Sequence, residues 1–189
     1  MGLKFRKRGI ENFLDLLGSE SVSPGGGTAA ALTAALGLAL VEMTARINAK
    51  KKLKNSPGKA AKIKNARERM ENLMERDAAV FLRLSAFYKK KDKGPGYQTA
   101  LKNAAAVPFE ICERAVQGLG WAKQEFAFTG RWLKSDLLEA VVLLEAAFES
   151  GRLNVEINLN EITDKKFVSK TRSSLLALEK EIRVLKKGF

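Results

Sequence analysis

The chain has 189 residues, 46% of them hydrophobic, which suits one domain whose core needs no disulfide or structural metal. It contains no histidine, and Cys112 is its single cysteine, so an intramolecular disulfide is excluded and a metal site is not expected. The formal charge of +13 predicts anionic partners, leaving open nucleic acid, a membrane surface or a small polyanionic substrate.

The first nine residues are basic, but acidic residues at Glu11 and Asp15 interrupt the place where a signal peptide would have its hydrophobic region. Secretion is therefore not expected. Together with the single cysteine, this pattern predicts a cytoplasmic protein in a reducing compartment.

Residues 21–41 carry no charge and are long enough to raise the question of a membrane span. Pro24 and three glycines occupy their start, which leaves residues 28–41 as the continuous helix, and that stretch is rich in alanine and glycine. A helix that is apolar all round and built of small residues is typical of the centre of a bundle. We predict a buried central helix and no membrane span.

A glycine-rich turn precedes this helix and reads Ser23-Pro24-Gly25-Gly26-Gly27-Thr28. Its backbone N–H groups would lie at the positive end of the helix dipole, which favours anion binding. The alternative is that Gly27 or Thr28 caps the helix and the glycines permit a sharp chain reversal. The turn lacks the Lys-Ser/Thr ending of a P-loop, which disfavours nucleotide hydrolysis.

The most cationic stretch covers residues 46–69, where ten basic residues accompany the single acid Glu68. Such a run is usually a solvated face. If it flanked the glycine-rich turn, it would instead attract carboxylates or phosphates, and a lysine beside bound substrate could polarise or protonate it.

Residues 59–88 have apolar positions at spacings of three and four, which predicts a long amphipathic helix. Asp77 interrupts this stripe, four residues after Leu73 and four before Phe81. A carboxylate on an apolar stripe should have a raised pKa, which suits proton transfer near neutral pH. The alternative is a structural hydrogen bond to a neighbouring helix end.

Three further helices are predicted in the second half of the chain. After a charged loop over residues 89–96, residues 101–119 form a helix that Pro108 should kink. Ser135 and Asp136 open the next helix, which ends at Gly151, and Asp136 is interpreted first as a helix-starting residue. Residues 154–160 then form an extended connector, and residues 164–187 form the last helix.

Three single residues in this half are considered for a role in binding or in the core. Asn154 and Asn158 lie four residues apart, where their amides could bind a heteroaromatic ring or hold their own loop. Cys112 is interpreted as a small core residue.

Residues 23–43, SPGGGTAAALTAALGLALVEM, resemble the Pro-Gly-Gly-Gly-Ser turn and small-residue helix of the cyclodeaminase domain of formiminotransferase-cyclodeaminase. Stand-alone bacterial relatives, which include methenyltetrahydrofolate cyclohydrolases, share this pattern. Thr28 stands in place of the usual serine. The resemblance covers about residues 10–164 and extends to the lysine-rich stretch, to DAAVF from Asp77, YQTALKNAAAVPFEI from Tyr97, SDL from Ser135 and NVEIN from Asn154.

The resemblance implies an all-α, single-domain helical bundle that forms a homodimer and acts on a tetrahydrofolate carrying a one-carbon unit. The expected activity is formimidoyltetrahydrofolate cyclodeaminase, and the alternative is methenyltetrahydrofolate cyclohydrolase. No tightly bound cofactor, metal, specific nucleic acid or membrane partner is expected. A non-catalytic folate-binding relative is a third hypothesis, because Arg131 and Leu53 depart from the residues common in the family.

In the absence of histidine, the expected proton-handling groups are Asp77 and Asp136, with Lys51 or Lys52 as acid or electrostatic partner. The turn should hold the carboxylates of the folate or order the pocket wall. The predicted substrate-binding residues are Ser23, Pro24, Gly25, Gly26, Gly27, Thr28, Ser135, Asn154 and Asn158, the two asparagines contacting the pterin.

Overall fold

A computed structural model describes residues 5–51, 57–90, 93–187 and 189. Within these residues the chain forms one helical domain without strands, in which a 3-10 helix at Phe5–Lys7 precedes six α-helices. These are α1 (Ile10–Leu17), α2 (Gly26–Lys50), α3 (Pro57–Lys90), α4 (Pro95–Phe126), α5 (Arg131–Leu159) and α6 (Lys165–Lys186). The all-α, single-domain prediction is confirmed, whereas α1 was not predicted.

Helix α2 is the centre of the bundle and packs against α3, α4 and α5. Its small residues let neighbours approach: a side-chain carbon at Gly37 would lie 2.8 Å from Leu144 Cγ, and one at Gly118 of α4 would lie 2.9 Å from Leu38 Cδ2. By length and composition alone α2 could cross a membrane, but 61% of its most apolar window is buried inside the bundle. This burial accords with the predicted central helix, although α2 extends nine residues beyond Val41.

The helix boundaries correct two predictions about capping. Helix α2 begins at Gly26 with Gly25 as its N-cap, so neither Gly27 nor Thr28 caps it. Helix α5 begins at Arg131, with Gly130 as its N-cap and without a side-chain cap bond. Ser135 and Asp136 therefore lie inside α5 and do not start it.

Residues 154–160 were expected to be an extended connector, and that prediction is wrong. Helix α5 continues through Gly151 to Leu159, because Gly151 serves helix packing and not termination. A side-chain carbon there would lie 2.8 Å from Cys112 Sγ and 3.1 Å from the Pro108 carbonyl oxygen of α4. Val155 and Leu159, four residues apart, lie on the buried face of this helix, whereas Ile157 between them is exposed.

Helix α4 runs without interruption through Pro108. Proline has no N–H, so the carbonyl of Ala104 lacks its usual intrahelical donor. The side-chain Nδ2 of Asn158 on α5 lies 3.4 Å from that oxygen and donates to it. The hydrogen bond that Pro108 cannot donate within α4 is in this way replaced by a side chain of the neighbouring helix α5.

The remaining helix predictions are confirmed. Helix α3 covers the predicted amphipathic segment, and α6 begins after Asp164, whose carboxylate accepts a 3.0 Å bond from Phe167 N. The charged loop is bounded by Lys90 and Pro95, and its residues 91–92 lie outside the described part. Large side chains of α2, α3, α4 and α5 form the core, including Leu38, Leu73, Leu119 and Leu144.

Candidate active site

A cavity of about 140 Å³ lies at the N-terminal end of α2, between that end and helices α3, α4 and α5. It brings together several predicted site residues that lie far apart in sequence. Its lining residues are Val22, Ser23, Gly25, Gly26, Gly27, Asp77, Val80, Phe81, Ala104, Pro108, Asn154 and Asn158. Of the predicted turn, Pro24 and Thr28 are buried just outside this lining.

Asp77 of α3 is the carboxylate of this cavity. Its Oδ2 accepts a 2.9 Å hydrogen bond from the hydroxyl of Thr28, and the backbone N–H of Thr28 also donates to it. Burial raises the pKa of Asp77 above its ordinary value, and the two bonds from Thr28 offset part of that rise. The raised pKa expected from the sequence is therefore present.

Gly27 makes room for this carboxylate. A side-chain carbon at Gly27 would lie 2.2 Å from Asp77 Oδ1 and 2.6 Å from Asp77 Cγ, which no real side chain tolerates. The anion that occupies the glycine-rich turn is thus the protein's own Asp77. The glycine-rich turn and the carboxylate on an apolar stripe, two separate anomalies of the sequence, explain each other.

Asn154 and Asn158 project from the last turns of α5 into the same cavity. Both amide nitrogens are engaged: Asn154 Nδ2 donates to the Ser150 carbonyl at 2.7 Å, and Asn158 Nδ2 donates to the Asn154 carbonyl at 2.8 Å. Their side-chain oxygens are left as acceptors for a ligand. Asn154 also packs against Gly26, where a side-chain carbon would lie 3.5 Å from Nδ2.

Ser23 adds a hydroxyl to the cavity wall. Its Oγ is buried and has no hydrogen-bond partner in the described part of the chain. A buried polar atom without a partner is costly, so a ligand group or water that fills the cavity would gain by bonding to it. Ser23 accordingly offers a hydroxyl donor to a ligand in the cavity.

The electrostatic character of the cavity follows from this lining. Its described lining contains one carboxylate, two amide oxygens and one hydroxyl, but no lysine or arginine. Such an arrangement favours a ligand that donates hydrogen bonds or carries positive charge over one that presents carboxylates.

Two other predicted catalytic residues, Lys51 and Asp136, lie at the opposite end of the bundle. Lys51 follows the C-terminus of α2, about 37 Å from Gly26 at 1.5 Å per residue. Asp136 lies about 27 Å from Asn154 along α5. Ser135 donates to the Trp132 carbonyl at 3.0 Å, within its own helix, and Lys52 lies outside the described residues. Within a single copy of the chain, the structure therefore places Lys51, Ser135 and Asp136 away from the cavity.

The described part of the cationic stretch, residues 46–51 and 57–69, does not flank the turn either, since the length of α2 separates the two. Much of it forms ion pairs: Arg46 and Arg67 with Glu42 at 2.6 and 2.8 Å, and Arg69 with Glu110 at 2.6 Å. The pKa of Glu42 is lowered because these bonds outweigh the opposing desolvation. The stretch acts mainly as a helix-linking face in the described residues.

Sequence reasoning missed one polar cluster and part of the cavity wall. Glu125 of α4 is fully buried, 3.1 Å from Lys59 Nζ and 2.8 Å from Asn48 Nδ2, and it joins the ends of α2, α3 and α4. Its place on a helix gives no sequence signal that distinguishes it from exposed glutamates. Phe81 was assigned to the core stripe but is 40% exposed and lines the cavity.

Cys112 is buried, as predicted for a core residue. Desolvation raises the pKa of its thiol to about 12, and its Sγ lies 3.4 Å from the Phe148 carbonyl oxygen. Among the described residues, no three His, Cys, Asp or Glu side chains are grouped as a metal site requires.

Comparison with protein families identifies residues 9–177 as a match to the formiminotransferase-cyclodeaminase family model. The formimidoyltransferase-cyclodeaminase of Sus scrofa is 31% identical over 193 residues, covering 92% of this chain but 35% of that protein. The chain thus spans about a third of the length of that relative.

Two stand-alone proteins match over nearly their whole length. The methenyltetrahydrofolate cyclohydrolase of Methylorubrum extorquens is 29% identical, covering 93% of this chain and 91% of that protein. The crystal structure of formiminotetrahydrofolate cyclodeaminase from Thermotoga maritima superposes with a TM-score of 0.90 at 28% identity, covering 96% of this chain and 93% of that one. The six-helix architecture is therefore shared with a solved protein along almost the entire chain.

Proposed function

The chain belongs to the formiminotransferase-cyclodeaminase family, and from this premise we propose that it is a folate one-carbon enzyme, a formimidoyltetrahydrofolate cyclodeaminase. It would convert 5-formiminotetrahydrofolate to 5,10-methenyltetrahydrofolate and ammonia. The observation that carries the proposal is the Asp77 carboxylate, which lines the cavity and whose pKa is raised by burial. A carboxyl group with a raised pKa is suited to taking a proton in one step and returning it in the next.

The reaction needs one proton relay. N10 of the folate attacks the carbon of the cationic formimino group, so that an N10–C bond forms and the C=N electron pair moves onto the terminal nitrogen. Asp77 takes the proton from N10 and passes it to the terminal amine. The N5 lone pair then forms the new C=N bond as ammonia leaves, and the cationic methenyl product keeps the overall charge.

The chemistry of the cavity supports a cationic reacting group. Asp77 and the side-chain oxygens of Asn154 and Asn158 accept hydrogen bonds, which suits an amidinium and the N–H groups of a pterin. Ser23 would donate to a ring acceptor. No cofactor other than the tetrahydrofolate itself is required by this scheme, and a cytoplasmic location stays a prediction.

The cavity is too small for a whole folate, since pockets for drug-sized ligands measure about 300–1,000 Å³. We place only the reacting ring in it. A second groove of about 350 Å³ continues along the seam between α3 and α4, shares Val80 with the cavity and is lined by Arg83, Thr99 and Asn103 among others. The carboxylates of the substrate would lie in this groove, beside Arg83 and not at the glycine-rich turn.

Cyclohydrolase activity is the second candidate, favoured by the near full-length match to the cyclohydrolase of Methylorubrum extorquens. In that reaction a water molecule would attack the methenyl carbon while Asp77 takes a proton from it. Because the reacting group is again cationic, the same cavity would serve the cyclodeaminase and the cyclohydrolase reaction. A non-catalytic folate-binding protein is the remaining alternative.

The homodimer also stays a proposal, supported by an apolar face on α5. Leu138, Val142, Leu153 and Ile157 share this face and are between 44% and 66% exposed. A two-fold axis near the middle of α5 would pair two copies in antiparallel fashion and bring the Asp136 end of each nearer to the cavity of the other. Sedimentation of the wild type and of Val142→Glu tests it: we expect a dimer and a monomer, respectively.

The function is tested by supplying 5-formiminotetrahydrofolate and following the near-ultraviolet absorption of the methenyl product, with hydrolysis of methenyltetrahydrofolate measured in parallel. Faster turnover of the formimino substrate is expected for a cyclodeaminase, and the reverse ratio indicates a cyclohydrolase. Folate binding without either turnover would leave only the non-catalytic alternative.

A further inference from the structure

The hydroxyl of Thr28 is directed at the protein's own carboxylate. Thr28 is fully buried, and its Oγ1 donates to Asp77 Oδ2 at 2.9 Å. The residue does not line the cavity, whereas its neighbour Gly27 and its partner Asp77 both do. A ligand in the cavity would therefore meet Asp77 and not the Thr28 side chain.

The approach of the two helices leaves the carboxylate little freedom. Both carboxylate oxygens and Cγ of Asp77 lie within 2.8 Å of the point where a side-chain carbon of Gly27 would be. The carboxylate thus rests on the first turn of α2, with the backbone N–H and hydroxyl of Thr28 both directed at it. A group held from one side in this way has a fixed orientation towards the cavity.

We infer that Thr28 is a positioning residue for Asp77: its hydroxyl holds Oδ2 as an acceptor and so fixes the orientation in which the carboxyl group takes and returns the transferred proton. Gly27 supplies the space that this arrangement needs. The inference rests on the proposed function, in which Asp77 moves the proton. It replaces the direct substrate contact expected for Thr28 from the sequence.

The hydroxyl also sets the balance between the two forms of the carboxyl group. A hydrogen bond donated to an ionised carboxylate favours that form, whereas burial favours the neutral acid. With the hydroxyl present, Asp77 can accept a proton in one step and release it in the next. Without it, the neutral acid would be favoured further, and a smaller fraction of Asp77 would be ionised and able to accept a proton.

The test is a titration of the Asp77 carboxyl carbon by carbon-13 NMR, with the signal assigned by its loss in Asp77→Asn. Thr28→Val removes the hydroxyl at nearly constant volume, and we expect the titration midpoint to move to higher pH. Thr28→Ser keeps the hydroxyl, and its midpoint should stay near that of the wild type. Thr44→Val is the matched control, because Thr44 is also fully buried in α2 but bonds to the Leu40 carbonyl.

Turnover gives the second readout. Thr28→Val should lower kcat at neutral pH about tenfold and shift the acidic limb of the pH–rate profile upwards, with KM little changed. In Thr28→Ser, kcat and the acidic limb of the pH–rate profile should stay near those of the wild type. An unshifted NMR midpoint in Thr28→Val, or a change in KM alone, would overturn the positioning role.

The two readouts separate this inference from the proposed function. If the wild type turned over neither substrate, the proposed function would fail, while the NMR titration would still report whether Thr28 controls Asp77. If turnover were present but Thr28→Ser were as impaired as Thr28→Val, the hydroxyl alone would not be sufficient to position Asp77. That outcome contradicts the inference and leaves the enzyme assignment intact.

Discussion

Two carboxylates at opposite ends of the same bundle, Glu125 fully buried and Asp77 partly buried, have different surroundings. Glu125 is fully enclosed, faces the Lys59 ammonium at 3.1 Å and receives a 2.8 Å bond from Asn48. Asp77 is held by Thr28 without an ion pair among the described residues, and it lines a cavity. A buried carboxylate matched by a cation stabilises the fold, whereas one held only by neutral donors beside open space is suited to proton transfer.

Glu125→Gln tests the structural half of this comparison and should have the largest effect. It removes the carboxylate that faces Lys59, so the free energy of unfolding should fall by about 3 kcal/mol, the lower end for buried pairs because Lys59 keeps some solvent contact. Urea unfolding measures this change, and activity per folded molecule should be retained. The exposed pair of Lys64 and Glu68 provides the control, since Glu68→Gln should change stability by less than about 0.5 kcal/mol.

Gly27→Ala tests the close approach on which the Asp77 site depends. The added carbon would overlap the carboxylate, so Asp77 must move away from Thr28, and kcat should fall about tenfold to a hundredfold. Steady-state kinetics checks this. Gly120→Ala is the matched control, because nothing lies within 4 Å of the added carbon and activity should not change.

Arg83→Gln tests where the substrate's carboxylates bind. It should raise KM about threefold to tenfold with kcat nearly constant, since a contact distant from the reacting atoms contributes uniform binding. Arg8→Gln makes the same change of charge outside that groove and should leave KM unaltered. An equal rise of KM in both variants would attribute the effect to net charge and not to the groove.

The smallest expected effect concerns stability and pH. The raised pKa of Asp77 means that the folded state binds its proton more tightly than the unfolded state, so the wild type loses stability as pH rises from near 3.8 through the folded pKa. Asp77→Asn lacks this loss, and its stability relative to the wild type should rise over that window. Asp164→Asn provides a control of opposite sign, because Lys102 and the Phe167 N–H lower the pKa of Asp164.

The sequence predicted the helices whose apolar period is regular, such as α3 and α6, and it identified both halves of the site. It could not show that the glycine-rich turn and Asp77 contact each other, because a pairing across 49 residues depends on how α2 packs against α3. The extended connector was predicted wrongly since alternation over residues 154–160 cannot be told from a helix face without knowing that α4 lies beside it.

Asp136 and Lys51 show the limit of reasoning by motif. Motif order says nothing about which end of a long helix a residue occupies, and the structure places both far from the cavity within one copy. Gly151 was misassigned for a related reason: a glycine required for helix contact has the same sequence signal as a C-terminal cap.

The most direct test of the central claim compares kcat of the wild type and Asp77→Asn for conversion of 5-formiminotetrahydrofolate, with folate binding measured separately. Loss of the proton-transferring group should lower kcat by about 10²- to 10⁴-fold while folate still binds and the fold stays intact. Turnover of Asp77→Asn within threefold of the wild type would show that Asp77 only holds the end of α2, and would contradict the account.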